Sequence, residues 1–117
     1  MNLFEELKAL GVDVDGGVKR IMGNEKLYRK LLGSFVKMVE GQSVDPDFDC
    51  NDCTETIEKV HAIKGTAGNL SITPLYESYS EMLGLLRNGQ PEEAKAVLCK
   101  VLPVQKDIIA CIKNHME

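Results

Sequence analysis

The sequence predicts an all-α protein: an antiparallel four-helix bundle with short extra helices at its N-terminus. Three observations carry this. Apolar residues recur at steps of three and four along most of the chain, no stretch sustains strand alternation, and the connections between the helical stretches are short. The 117 residues suit a single domain, 1–117, built round one core.

The elements follow in order. Leu3, Phe4, Leu7 and Leu10 form the first apolar stripe, and Gly11 offers a stop. Asp13 or Asp15 can cap a short second segment carrying Val18, Ile21 and Met22, which Gly23 closes. Asn24 is a good N-cap for a longer helix through Leu27, Tyr28, Leu31, Leu32, Phe35 and Val39, ended by Gly41. Residues 42 to 50, after Gly41, have a loop composition of Ser, Pro and Asp. Asp52 followed by Glu55 reads as a capping pair for a helix that runs to about Leu70. Thr73 caps the next helix, with Pro74 at its first position and a stripe of Leu75, Tyr79, Met82, Leu83 and Leu86; Asn88 and Gly89 end it. Pro91, Glu92 and Glu93 open the last helix, which Pro103 should kink by removing the bond to Cys99. The four main helices are thus expected at about 24–40, 52–70, 74–88 and 91–116. Their core should gather Leu31, Phe35, Val60, Ile63, Ala67, Met82, Leu86, Val97 and Val101.

Composition narrows the function. Hydrophobic residues make up 44% and charged residues 27%, the balance of a soluble globular protein. A net charge of −4 lacks the basic stripe that nucleic acid requires. The opening MNLFEELKAL carries two acids and no long apolar run, so it does not read as a signal peptide. No window approaches the ~20 apolar residues of a membrane span. The expectation is a cytoplasmic protein with neither nucleic-acid nor membrane partners. Four cysteines are read as reduced thiols in or near the core: Cys50 and Cys53 form a CxxC with no second pair at zinc spacing, and Cys99 and Cys111 sit on an amphipathic pattern. No metal site is expected.

The stretch TETIEKVHAIKGTAGNL carries the chemistry. Projected at ~100° per residue, it gathers Thr56, Val60, Ile63, Ala67 and Leu70 on a core side, and His61 points ~140° from the centre of that side. His61 should therefore face solvent. Gly65 and Gly68, four and seven residues on, share its face. Each glycine inside a helix costs about 0.5–1 kcal/mol relative to alanine, and no turn requires this pair. One explanation is a shallow trough beside an exposed imidazole that admits another molecule; the other is close packing of a neighbouring helix, which suits Gly68 better than Gly65. Lys64 lies one turn from His61 and can place an ammonium beside a phosphate there. Ile57, one turn before, would add an apolar contact to the same surface.

The string HAIKGTAGNL resembles the signature of histidine-containing phosphotransfer domains of two-component phosphorelays, in which a histidine is followed at the third and fourth positions by lysine and glycine and at the seventh by a further glycine. The likeness extends to Leu75 in TPLYE and to the N-terminal run LGVDVDGGVKRIMGNEKLYRKLLGSFV, and so spans nearly the whole chain. The chain departs at Ser71, near the helix end, where members often carry another glycine. The resemblance implies that His61 is the phosphoacceptor through its outer ring nitrogen, taking a phosphoryl group from a receiver-domain aspartate and passing it to another receiver. Imidazole suits this role because it is nucleophilic when neutral near pH 7. Lys64, Gly65, Gly68 and Ile57 would support the phosphate or the partner. The implied partners are a response-regulator receiver domain and a hybrid sensor histidine kinase. The receiver would supply Mg²⁺ and most of the charge stabilisation, leaving this chain without a cofactor of its own. With no Gly-rich nucleotide loop, the chain reads as a monomeric phosphocarrier and not as an enzyme with an ATP site. Three alternatives stand beside this: a histidine-kinase dimerisation domain, an adaptor bundle that binds a receiver without carrying phosphate, and a metal site of His61, Cys50 and Cys53. His115 reads as a bystander at a frayed C-terminus.

Overall fold

Local signals build six helices among the described residues, 2–116 of the computed structural model: α1 Leu3–Ala9, α2 Val14–Arg20, α3 Glu25–Gly41, α4 Thr54–Asn69, α5 Thr73–Arg87 and α6 Pro91–Met116. No strand occurs among those residues. Capping side chains set the first three starts. Asn2, Asp13 and Asn24 each accept a hydrogen bond from the backbone N–H three residues on, at Glu5, Gly16 and Leu27. Glycines with positive φ end three segments: Gly11 at +93°, Gly23 at +78° and Gly89 at +73°.

Two expected caps are corrected. α4 begins at Thr54 and has no side-chain cap bond; Asp52 instead accepts from the Thr54 N–H at 3.2 Å, a local turn just ahead of the helix. Thr73 lies inside α5 and turns its hydroxyl back to donate to the Ser71 carbonyl at 3.3 Å, while proline occupies the first turn. Gly41 is the last residue of α3, with Gln42 as its C-cap. α6 runs on through Pro103, which is exposed. Its 26 residues span about 39 Å at 1.5 Å per residue, which accounts for the 42 Å long axis of the molecule.

α5 packs along both α4 and α6; α3 touches α6 and α4; α1 lies on α6, and α2 joins α1 to α3. All six helices feed one buried cluster. Of the expected core, Phe35, Val60, Ile63, Ala67, Met82, Leu86 and Val101 are buried, whereas Leu31 and Val97 are half-buried at its margin. The segment after α3 also contributes: Val44 and Phe48 are buried, and the Lys95 ammonium sits 5.1 Å above the Phe48 ring.

Two tyrosines clamp helices across the core. The Tyr28 hydroxyl on α3 donates to the Leu70 carbonyl at the end of α4, 2.6 Å away, and Tyr79 on α5 donates to the Gln105 side chain on α6. Burial pushes both phenols up to about 12, with Asp13 adding to the effect at Tyr28. Gly17 lets α2 press against this clamp, since a Cβ there would stand 2.5 Å from the Tyr28 ring and 2.7 Å from the Leu70 carbonyl oxygen.

Candidate functional site at the exposed face of helix α4

α4 has one dry side and one wet side. Thr56, Val60, Ile63, Ala67 and Leu70, spaced for one helical face, are all buried, and Val60, Ile63 and Ala67 are fully so. His61 lies on the opposite side and is exposed, as the projection expects. Gly65 follows one turn later and is exposed too; a Cβ built there meets nothing within 4 Å. The imidazole therefore stands beside bare backbone on a rigid scaffold. A partner's surface can approach this part of the helix more closely than it could past a side chain.

Lys64 flanks His61 and is half-buried. Among the described residues no carboxylate lies within 4.0 Å of its ammonium, whereas Lys59 on the same helix pairs with Glu55 at 3.2 Å. Lys64 thus offers a positive charge one turn from the imidazole without a counter-ion among the described residues. Ile57 is half-buried and packed against the core, so it contributes less open apolar surface than its place near His61 suggested.

Gly68 differs from Gly65. A Cβ there would lie 2.8 Å from Cδ1 and 2.9 Å from Cε1 of Tyr76, so its bare backbone seats an α5 side chain. The close-packing explanation applies at this position. Its carbonyl accepts from the Arg20 guanidinium at 2.9 Å, which ties α2 to the last turn of α4. Arg20 and Tyr76, neither singled out in the sequence, line a cleft of about 480 Å³ whose wall includes Gly65, Gly68, Asn69 and Asp13. Tyr76 is 41% exposed, so the cleft keeps an aromatic edge open to solvent beside Gly68. Tyr76 lies at the margin of the apolar stripe of α5, and its pairing with Gly68 is non-local and has no local signature.

The cysteines do not join this site. Cys50 donates its thiol hydrogen to Glu92 at 3.3 Å, and Cys53 donates to the Asp49 carbonyl at 3.4 Å. Burial, then the neighbouring Cys50, Asp49 and Asp52, push the Cys53 thiol up. Among the described residues, one group of three His, Cys, Asp or Glu donors converges, and it is Glu6, Cys111 and His115. It includes none of His61, Cys50 or Cys53. His115 does not lie on a frayed end: it sits within α6, its Nε2 contacts the Glu6 carboxylate, and its carbonyl accepts from Arg29 at 2.9 Å. No helix among the described residues is long and apolar enough to cross a membrane. No family model, no curated protein and no solved structure matches the chain.

Proposed function

We propose that this chain is a histidine phosphotransfer module, a phosphocarrier that accepts a phosphoryl group on His61 from a receiver-domain aspartate and yields it to another receiver. The observation that carries the reading is the pairing of an exposed imidazole with an open glycine one turn away, on a helix whose other face is buried in the core. Phosphoryl transfer between proteins needs a nucleophile that a second active site can enclose, and little else from the carrier. Lys64 adds a cation for the phosphate. Mg²⁺ and the remaining charge stabilisation belong to the receiver, so the carrier itself is not an enzyme and holds no nucleotide.

The architecture proposed with it is an antiparallel four-helix bundle of α3 to α6, active as a cytoplasmic monomer. Support comes from α3 touching both α4 and α6 while α5 touches the same two, and from the short links on either side of α5. The test is incubation with a panel of phosphorylated receivers, with the modified residue located by mass spectrometry without acid fixation. Phosphate on His61 supports the reading. Receiver binding without any phosphate uptake would favour a non-phosphorylated adaptor.

A further inference from the structure

Three metal-ligating side chains meet where the first and last helices touch, on residues the phosphotransfer reading does not use. Cys111 and His115 are one turn apart on α6 and so share a face. Glu6 approaches that face from α1, which packs on α6. One ligand atom from each lies within 4.8 Å of the other two, and all three residues are half-buried. Glu6 has no cationic partner among the described residues besides His115: Lys8 pairs with Asp15, and Lys113 pairs with Glu40. The last turn of α6 is held in place by the Arg29 guanidinium on the His115 carbonyl.

We propose that Glu6, Cys111 and His115 form a three-ligand binding site for a zinc-class divalent cation, with the fourth tetrahedral position left to water. Thiolate, imidazole and carboxylate together are a zinc donor set; magnesium and calcium favour oxygen alone. With bonds of about 2.0–2.3 Å, a tetrahedral ion spaces its ligand atoms roughly 3.3–3.7 Å apart, inside the 4.8 Å that bounds the three atoms here. The ion would replace the direct His115–Glu6 contact. The Cys111 thiol proton leaves to solvent, and the neutral imidazole keeps its single proton on the nitrogen that faces away from the metal. The bound ion would staple α1, at the start of the chain, to the end of α6.

The test uses the full chain under reducing conditions after chelator treatment, titrated with Zn²⁺ against a competing chromophoric chelator and, separately, with Co²⁺. The expected result is one ion per chain, a thiolate-to-cobalt absorption band, and a higher melting temperature with Zn²⁺. Cys111→Ser should abolish the band and weaken Zn²⁺ binding by at least about tenfold, with Glu6→Gln and His115→Ala also weakening it. Circular dichroism confirms that each variant keeps its helix content. His61→Gln and the paired Cys50→Ser, Cys53→Ser variant should bind as the unaltered chain does. The proposal is overturned if no saturable one-to-one binding occurs. It is equally overturned if the band survives Cys111→Ser or vanishes in the Cys50, Cys53 pair.

Discussion

Gly65 and Gly68 lie three residues apart on one helix in opposite surroundings: open space at the first, the Tyr76 ring at the second. The difference predicts opposite behaviour. Gly65→Gln should leave the melting temperature unchanged or raise it slightly, because glutamine is the better helix former by a few tenths of a kcal/mol or more, yet slow phosphate uptake by obstructing the approach to His61. Gly68→Ala should lower stability by about 1 kcal/mol, since overpacking against Tyr76 outweighs the gain in helix propensity. In a Tyr76→Ala background the same change should become neutral or stabilising, which thermal unfolding of the four variants would show. Lys64 belongs to the same scale. An exposed charge beside a phosphate has a modest effect, so Lys64→Ala should slow transfer within roughly tenfold. Complete loss of transfer would assign it another role. His61 and Gly65 were legible from the period of α4 alone, because which side of a helix faces water follows from residue spacing. The Tyr76 contact at Gly68 and the tie between His115 and Glu6, 109 residues away, were not legible, because each depends on how distant helices meet.

At the scale of elements, the turn between α4 and α5 carries backbone strain. Ser71 adopts φ +55°, in the left-handed region that disfavours side chains and favours glycine. Its carbonyl also receives the Asp13 N–H at 2.9 Å, so the strained turn helps hold the start of α2. Ser71→Gly should therefore raise stability by about 0.5–1 kcal/mol, the relief of strain exceeding the extra freedom of the unfolded chain, whereas Ser71→Ala should bring no such gain. Denaturant titration decides between them. Helix identity followed from apolar spacing, and the boundaries lie within about two residues of their sequence-based positions. The caps of α4 and α5 were misplaced because Asp52 and Thr73 bond to backbone in local turns that compete with the capping geometry.

The whole molecule is locked by contacts between helices that carry buried hydroxyls. Tyr28 joins α3 to the end of α4, and Tyr79 joins α5 to α6. Both phenols are raised from 10.0 to about 12 in the folded state. A raised folded pKa favours the protonated form, so this contribution is complete below pH 10 and is lost as pH rises toward 12. The denaturant midpoint should fall across that window, and Tyr28→Phe should make the fall shallower while lowering stability at neutral pH through loss of its hydrogen bond to Leu70. The Tyr28 bond also ties the end of α4, the helix that carries His61, to α3. The all-helical class was legible from apolar periodicity over the full chain. The core contribution of Val44 and Phe48 was not, because their segment has a loop's composition and only tertiary packing reveals that it is pinned.

The central claim is that His61 carries phosphate, and the most direct measurement is transfer from a phosphorylated receiver to the unaltered chain, to His61→Gln and to His115→Gln. The account predicts an acid-labile phosphate on the unaltered chain and on His115→Gln, and none on His61→Gln, which should keep its helical spectrum because the side chain is exposed. Uptake that persists in His61→Gln, or that disappears in His115→Gln, would contradict it.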